Sequence, residues 1–369
     1  MKCQAAVFCG AHKPFEIQEY EVSVPSTGSV GLKLVCSGVC GTDVHIHGGF
    51  LGMPNFPLIL GHEFIGRIDA LGEGAVKDAL GQPLAVGNTA VACVASPCGK
   101  CFNCRRGETA SCLSFGVTYV KDVKDAPHFH GGFAEYLYSP AQNLIKVPAG
   151  VDPLAAAAFP CGGPTVLRSC AYGGGIEAGE IVVVQGNGSL GLFALAYAKA
   201  RGCTVVVIGS TANPARVAAC EALKADRFID FRKASAEDIK AQIKEIAAAA
   251  GRGNGADVVI ETSGAQDAFP LGLSLLRTRG RYFVPGQYSN RGPVSIEPQQ
   301  ITFRALQIIG SGQYTMADLA AYLDFLKANP VLQPIFRSLV ATYLVADVNT
   351  AVADAAAGKA IKAVFVPRS

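Results

Sequence analysis

The chain has 369 residues, of which 50% are hydrophobic and 17% charged, and 32 basic against 29 acidic residues leave a net charge of +3. Such a length predicts about two domains. Because the chain has no basic block and no apolar run of transmembrane length, we expect neither a nucleic-acid nor a membrane partner. Its first residues, MKCQAAVFCGAHKPFEI, read as a strand and turn rather than as an export signal, which predicts a cytoplasmic protein.

The first ~150 residues are predicted to be rich in β-structure, since short apolar runs such as HEFIGRIDAL and TAVACVA alternate with Gly, Pro and Asp. Two segments here carry polar residues of interest. CGTDVHIHGG and GHEFIG supply Cys40, Thr42, Asp43, His45, His47, His62 and Glu63. Taken singly, a cysteine is usually a small buried hydrophobe, and a lone histidine is more often structural than a metal ligand.

Four cysteines follow in the stretch SPCGKCFNCRRGETASC. Cys98, Cys101, Cys104 and Cys112 have the spacing C-x2-C-x2-C-x7-C, which suits a closed tetrahedral zinc site. Two disulfides or an iron–sulfur cluster are the alternatives. The odd total of 13 cysteines and the expected reducing cytosol favour zinc.

A second metal set is dispersed along the chain and is completed by Cys161 in FPCGGPT. A catalytic zinc needs three protein ligands and one open position. Cys40, His62 and Cys161 would supply two thiolates and one imidazole, which leaves the metal a moderate Lewis acid. One closed and one dispersed set predict two zinc ions per chain.

From about residue 160 to 300, strand-like runs alternate with helical runs: IVVVQG, LGLFALAYAKARG, TVVVIGS, PARVAACEALKAD and RFIDF. Continuous Val/Ile runs are typical of strands buried on both faces of a parallel sheet, and the alternation predicts βαβ units. The last ~60 residues are expected to return to the first domain. We therefore predict an α/β protein with a β-rich domain, 1–160 with 305–369, and a doubly wound parallel-sheet domain, 161–304.

The first of these βα connections carries a dinucleotide-binding pattern. Gly186, Gly188 and Gly191 form G-x-G-x-x-G directly after a strand and before a helix. The first glycine permits the turn, the second lets the backbone approach pyrophosphate, and the third lets the helix pack closely on the strand. The phosphates are expected at the helix N-terminus, where unpaired N–H groups point outward.

Residues at the end of the second strand bear on the choice between NAD and NADP. An NAD site is expected to have an acidic residue about 20 positions after the loop, to accept from the ribose 2′-hydroxyl. The chain has Ser210 and Thr211 there, with Arg216 close by. This favours NADP; a polar turn that tolerates both cofactors is the alternative.

The sequence resembles the zinc-dependent alcohol dehydrogenases of the medium-chain dehydrogenase/reductase superfamily. The resemblance is carried by four motifs that occur in the order and spacing of that family: the C-G-T-D-x-H segment, the GHE segment, the four-cysteine lobe and the glycine loop. The resemblance covers essentially the whole chain, and it implies a GroES-like catalytic domain and a Rossmann cofactor domain. It implies that Cys40, His62 and Cys161 bind the catalytic zinc. Glu63 is implied as a transient or outer ligand, and Asp43 as the carboxylate that orients His62.

The same resemblance implies roles around substrate and cofactor. Thr42 would take the substrate hydroxyl proton and His45 would pass it towards solvent. Thr165 and Leu190 would pack near the nicotinamide, and Lys362 would lie near the pyrophosphate. We expect a homodimer or homotetramer.

The leading functional hypothesis is reversible oxidation of a small-molecule alcohol to an aldehyde or ketone with NAD(P). The apolar segment GGFLGMPNFPLIL favours a secondary, apolar or alicyclic substrate, through Phe50, Leu51, Met53 and Phe56. A polyol or amino-alcohol dehydrogenase is the alternative. A second, more remote alternative is a non-catalytic protein that senses zinc or a nucleotide. The intact set of metal ligands and the proton relay argue against this alternative.

The dehydrogenase hypothesis assigns no role to several other histidines and cysteines. His128 and His130 are expected at the surface, and His47 is expected to be a loop residue rather than a relay. The seven cysteines outside both sets are expected to be ordinary thiols.

Overall fold

The computed structural model describes residues 1–287 and 292–368. It divides into two compact units, Met1–Cys161 with Thr315–Ser369, and Gly162–Tyr314. In the described ranges, no helix is both long and apolar enough to cross a membrane. None of the 13 cysteines, all of them described, is joined in a disulfide.

The first unit begins with short strands and three short helices. In chain order these are β1 Lys2–Phe8, β2 Glu16–Glu21, β3 Ser29–Gly38, α1 Gly41–His47, β4 Leu58–Ile59, β5 Glu63–Leu71, β6 Thr89–Cys93, β7 Ala95–Ser96, α2 Phe102–Arg105, β8 Gly116–Val117, β9 Tyr136–Pro140, β10 Leu144–Lys146 and α3 Pro153–Ala156. Two 3-10 helices, Thr109–Ser111 and Ala141–Asn143, lie among them.

The second unit alternates helices with strands. Its elements are α4 Gly162–Tyr172, β11 Ile181–Gln185, α5 Ser189–Ala200, β12 Thr204–Gly209, α6 Pro214–Ala222, β13 Arg227–Asp230, α7 Ala236–Ala249, β14 Ala256–Glu261, α8 Ala268–Leu275, β15 Leu276–Val284, α9 Pro298–Arg304 and β16 Gln307–Gly310.

These six strands form one parallel sheet in the order β13-β12-β11-β14-β15-β16. Every residue of β11 and of β14 is buried, as the continuous apolar runs predict. The chain runs outward from β11 in one direction and from β14 in the other. The carboxyl ends of β11 and β14 therefore meet at a topological switch point, where open α/β sheets bind ligands.

The chain then returns to the first unit with α10 Met316–Ala328, α11 Gln333–Ser338, β17 Val340–Tyr343, α12 Val348–Ala356 and β18 Lys362–Phe365. Two more 3-10 helices, Pro330–Leu332 and Val345–Asp347, lie between these elements. The unit's main sheet follows the order β10-β6-β5-β3-β18-β17, and β9 also pairs with β3. The predicted α/β fold, with a β-rich domain and a doubly wound parallel sheet, is thus confirmed. The sequence placed 305–314 with the first domain, whereas β16 pairs with β15 inside the second unit.

Two histidines expected at the surface lie in the loop before β9: His130 is buried, so the prediction is wrong for it, whereas His128 is half-buried. His130 is 6% exposed and its Nε2 lies 3.2 Å from the Asp125 carbonyl oxygen. His128 stacks on Tyr20 at 4.7 Å, and its Nδ1 lies 2.8 Å from the Val123 carbonyl oxygen. In each histidine a ring nitrogen lies within hydrogen-bond distance of a backbone carbonyl of the same loop, which holds the ring against the loop.

A buried carboxylate ties together the end of the parallel sheet opposite the switch point. The Asp257 side chain is fully buried and accepts from Arg252, from Arg277 and from the backbone N–H of Ile181, at 2.6–2.8 Å. Burial alone would raise the pKa of Asp257, but hydrogen bonds from Arg252 and from the Ile181 backbone N–H lower it below its usual value.

We expect Asp257→Asn to lower the free energy of unfolding by about 2–4 kcal/mol, because it leaves buried donors without a charged acceptor. The contribution of the Asp257 carboxylate to the free energy of unfolding is present in full at neutral pH. It is lost as the pH falls through the native pKa, since the unfolded carboxyl takes up a proton first. Urea unfolding at neutral and acidic pH measures both effects. Asp267→Asn, at an exposed aspartate, is the control and should stay within about 0.5 kcal/mol. An equal loss in both variants would contradict the prediction.

Candidate functional site

Four side chains that are distant in sequence meet in the first unit. Cys40, His62, Glu63 and Cys161 each place one ligand atom within 4.8 Å of the others. Cys40 directly precedes α1, Glu63 opens β5 with His62 just before it, and Cys161 is the last residue before α4. Two sulfurs, an imidazole nitrogen and a carboxylate oxygen make a donor set that fits zinc.

Asp43 connects the helix start to the histidine. Its Oδ2 accepts from the Cys40 backbone N–H at 2.9 Å, and its Oδ1 lies 3.4 Å from His62 Nδ1. Asp43 is fully buried, and among the described residues these two facing atoms have no other hydrogen-bond partner. Burial alone would lower the pKa of His62, but the Asp43 carboxylate raises it above its usual value. With Nδ1 turned to a carboxylate, Nε2 is the nitrogen left for a metal.

A buried ion pair lies next to these ligands. Lys362 on β18 is 3% exposed, and its Nζ donates to Glu63 Oε2. Gly38 on β3 makes room for the pair, since a Cβ there would lie 2.1 Å from Glu63 Oε2 and 2.8 Å from Lys362 Cε. This ion pair could not be predicted from the sequence, because Glu63 and Lys362 lie 299 positions apart in the chain.

Thr42 and His45 lie on α1, one turn apart, and therefore share a face of the helix. Thr42 Oγ1 is 3.9 Å from Cys40 Sγ, which places this hydroxyl beside the ligand cluster. The ring of His45 meets Phe50 edge-on at 6.1 Å. His47 was predicted to be a loop residue but is the last residue of α1; it stacks on Phe15 at 5.5 Å and its Nε2 lies 3.0 Å from the Lys13 carbonyl oxygen.

One aromatic residue near the ligands has no signal in the sequence. Tyr119 is 5% exposed and its ring is stacked on that of His62, with centroids 6.5 Å apart. It follows the cysteine lobe in an unremarkable stretch, TYVKDV. Only the folded chain shows that it forms part of the wall beside the histidine.

The cysteine lobe brings its four sulfurs within 4.8 Å of one another. Backbone N–H groups point at them: Cys104 donates to Cys101 Sγ at 3.5 Å, and Cys98 donates to Cys112 Sγ at 3.2 Å. Donation from the Leu113 and Cys104 backbones lowers the pKa of the Cys101 thiol to about 6. Backbone donation thus favours the thiolate forms of Cys101 and Cys112, which are the forms that bind a cation.

The glycine loop lies in the second unit, at the switch point of the sheet. A Cβ on Gly191 would lie 2.0 Å from the Gly186 carbonyl oxygen, so only glycine allows α5 to pack this close. Gly186 has a φ of +112°, which the turn requires. A Cβ on Gly188 would meet nothing within 4 Å, so this position faces open space where a ligand can approach. The three glycine positions therefore fit a bound pyrophosphate.

The predicted ribose site lies where β12 ends. The side chain of Asn187, inside the glycine loop, bonds both the backbone oxygen of Ser210 at 3.0 Å and its N–H at 3.3 Å. Ser210 Oγ accepts from Ala212 N–H at 3.1 Å. Arg216 lies in the first turn of α6, and its buried Nε has no hydrogen-bond partner in the described chain.

Thr165 and Leu190 lie on the helices α4 and α5 of this unit. Thr165 is 9% exposed. The start of α4 approaches Leu190, since a Cβ on Gly162 would lie 3.4 Å from Leu190 Cδ1. Their packing near a nicotinamide stays a prediction.

Comparison with known proteins agrees over both units. Residues 26–149 match the model of the alcohol dehydrogenase GroES-like domain, and residues 189–328 match that of the zinc-binding dehydrogenases. A 5-exo-hydroxycamphor dehydrogenase from Pseudomonas putida is 31% identical, over 87% of this chain and 96% of that protein. A sorbitol dehydrogenase from Halalkalibacterium halodurans is 30% identical, over 96% of both.

Among solved structures, an alcohol dehydrogenase from Thermotoga maritima superposes with a TM-score of 0.91 at 27% identity, covering 100% of both chains. Together these matches cover both units, and they confirm that the protein is an oxidoreductase that oxidises an alcohol with NAD(P). The chain belongs to the zinc-dependent alcohol dehydrogenases of the medium-chain dehydrogenase/reductase superfamily.

Proposed function

We propose that this dehydrogenase oxidises an apolar, alicyclic secondary alcohol to its ketone, with two zinc ions per chain and with NADP used at least as well as NAD. The observation that carries the substrate proposal is the edge contact between Phe50 and His45. It joins the apolar segment to the helix that bears the proposed proton path.

Cys40, His62 and Cys161 would hold the catalytic zinc, and Glu63 is close enough to act as a transient or outer ligand. When bound there, the zinc supplies Lewis acidity that lowers the pKa of an alcohol hydroxyl, and the nicotinamide accepts the hydride. Lys362 neutralises Glu63 in the buried site. Cys98, Cys101, Cys104 and Cys112 would hold the structural zinc, with no open position.

The chain's own contribution is to remove the hydroxyl proton. Thr42 would accept it from the substrate, since its short side chain lies beside the Cys40 sulfur. His45 would receive it next, because imidazole titrates near neutral pH and the two residues share a helix face. The half-buried position of His45 allows it to release the proton to water.

For the nucleotide, Gly186, Gly188 and Gly191 would cradle the pyrophosphate. Ser210, Thr211 and Arg216 would face the adenosine ribose. Burial lowers the pKa of Arg216, and its buried Nε lacks a partner in the described chain. A partly desolvated guanidinium whose Nε lacks a partner is stabilised by an anion, which supports a 2′-phosphate.

The apolar segment supports the substrate class. Phe50 is 72% exposed, while Leu51, Met53 and Phe56 pack partly against the core of the first unit. A hydroxycamphor is an alicyclic secondary alcohol, and a relative of this chain is named for acting on one. A polyol substrate is the second candidate, because another relative is named a sorbitol dehydrogenase.

The test is a panel of alicyclic, aliphatic, polyol and amino alcohols, assayed with NAD and NADP in parallel by absorbance of the reduced nicotinamide. The proposal expects the highest kcat/KM with an alicyclic secondary alcohol. It also expects an NADP efficiency no lower than that with NAD. A best substrate among the polyols, or a preference for NAD above about a hundredfold (about 2.7 kcal/mol), would overturn the corresponding part. Sedimentation velocity would test the proposed homodimer or homotetramer.

Thr42→Ala is expected to reduce kcat more than His45→Ala, because solvent replaces a distal relay more easily than the group in contact with substrate. His45→Ala should slow turnover mainly below neutral pH, and imidazole buffer should restore part of it. The pH profiles of kcat for both variants measure this. A His45→Ala loss that is independent of pH and of imidazole would contradict the relay.

Cys104→Ser is expected to remove about one zinc per chain and to lower the melting temperature, since metal binding at a structural site is coupled to folding. Metal analysis and thermal unfolding measure the two effects. Cys9→Ser, at a half-buried cysteine outside both sets, serves as the control and should keep the full zinc content. Two zinc ions in the Cys104→Ser protein would contradict the structural site.

A further inference from the structure

The geometry points to Asp230 as a specificity-determining residue that favours a ribose 2′-hydroxyl and opposes a 2′-phosphate at the end of β12. This inference rests on the proposed function, because it takes the adenosine ribose to lie beside Ser210 and Thr211. It explains how a chain with no acidic residue at the end of β12 can still bind NAD.

Asp230 is distant in sequence from the glycine loop but lies beside the predicted ribose site. It ends β13, and its Cα pairs with that of Gly209, the last residue of β12. The Phe231 backbone N–H donates to the Gly209 carbonyl oxygen at 3.1 Å, which extends the strand pairing past Asp230. The pairing thus brings a carboxylate to the point where the sequence has only hydroxyls.

The carboxylate is bound to one of those hydroxyls. Thr211 Oγ1 donates to Asp230 Oδ2 at 2.5 Å, and Asp230 Oδ1 accepts from the Arg232 backbone N–H at 3.0 Å. The Asp230 side chain is only 8% exposed. Donation from Thr211 lowers the pKa of Asp230, so the group is ionised at neutral pH.

A hydroxyl has one proton to donate. Because that of Thr211 goes to Asp230, Thr211 offers an incoming ribose only its lone pairs. A 2′-hydroxyl can donate to these lone pairs, whereas the oxygens of an ionised 2′-phosphate can only accept. The Thr211–Asp230 pair therefore does, through one hydroxyl, what an acidic residue at the end of β12 does directly.

Two neighbouring groups act in the other direction. Ser210 Oγ accepts from Ala212 N–H, so its proton can be donated to a phosphate or to a ribose oxygen. The Arg216 guanidinium favours the phosphate. Lys233 Nζ lies 3.9 Å from Asp230 Oδ2 but is 75% exposed, so solvent screens it and it offsets the Asp230 charge only in part. The opposed charges of Asp230 and Arg216 leave both cofactors usable.

The test measures binding rather than turnover. NADH and NADPH are titrated by nucleotide fluorescence against the zinc-loaded native protein and Asp230→Asn at one ionic strength. Removing the charge is expected to tighten NADPH about tenfold relative to NADH, as a single charge near a phosphate in a partly buried site implies. High salt should shrink this change, because it screens the repulsion.

Asp226→Asn is the matched control, since Asp226 lies just before the opposite end of β13 and binds Lys199 and the Val205 backbone N–H at 2.7 Å. It should leave the NADPH-to-NADH ratio of dissociation constants unchanged. If Asp230→Asn does not fold by circular dichroism, Thr211→Val takes its place. That variant should weaken NADH several-fold more than NADPH, since it removes the acceptor for the 2′-hydroxyl.

The outcomes separate the two proposals. A native protein that binds neither nucleotide would overturn the proposed cofactor site. A protein that binds both nucleotides, but whose ratio is the same in Asp230→Asn or moves equally in Asp226→Asn, would overturn the role of Asp230 alone. An equal loss for NADH and NADPH in Thr211→Val would do the same.

Discussion

Cys161→Ala is expected to abolish alcohol oxidation, with kcat reduced by at least about a thousandfold, while NADH binding changes by less than about twofold. The reason is that Cys161 supplies one of three ligands of the proposed catalytic zinc, and two remaining ligands hold zinc weakly. The glycine loop belongs to the second unit and is not altered by the change. Steady-state assays, metal analysis and NADH titration measure the three quantities.

Cys170→Ala is the matched control, because Cys170 is a buried cysteine outside both metal sets. It should keep its zinc and most of its activity, at a cost of about 1 kcal/mol in stability from the small cavity. Near-native turnover of Cys161→Ala with full zinc occupancy would contradict the mechanism. A loss of NADH binding in that variant would show that the two sites are not independent.

Gly191→Ala is expected to weaken NADH and NADPH binding together, by about a hundredfold, because the added methyl group cannot fit. Its Cβ would lie 2.0 Å from the Gly186 carbonyl oxygen and 2.8 Å from Thr262 Oγ1. The backbone oxygen cannot move without opening the turn between β11 and α5, which is where the phosphates are expected. Fluorescence titration of both nucleotides measures the loss, and zinc content should stay unchanged.

Gly310→Ala is the control for this substitution, since a Cβ at the end of β16 would meet nothing within 4 Å. It should bind both nucleotides as the native protein does. If Gly191→Ala also binds both with native affinity, the loop is not the phosphate site. A selective loss of NADPH alone would place the effect at the ribose rather than at the pyrophosphate.

Local features of this protein could be predicted from its amino-acid sequence. The strand–glycine–helix pattern around Gly186 and the tight cysteine spacing from Cys98 to Cys112 act within one turn or one loop, so chain connectivity alone keeps their members close. Continuous apolar runs likewise predicted the buried parallel strands β11 and β14. Cys40, His62 and Cys161 are not close in sequence, and they were predicted as one zinc site from their residue types together with the resemblance of their segments to a known family.

Contacts between residues that are far apart in the chain became visible only in the folded structure. Strand register brings Lys362 to Glu63 and Asp230 to the end of β12, and loop packing buries His130. Spacing along a chain carries no information about which strands pair or in which register, because that depends on the packing of the whole sheet. The carboxylate that the sequence lacked after β12 is therefore supplied by a neighbouring strand.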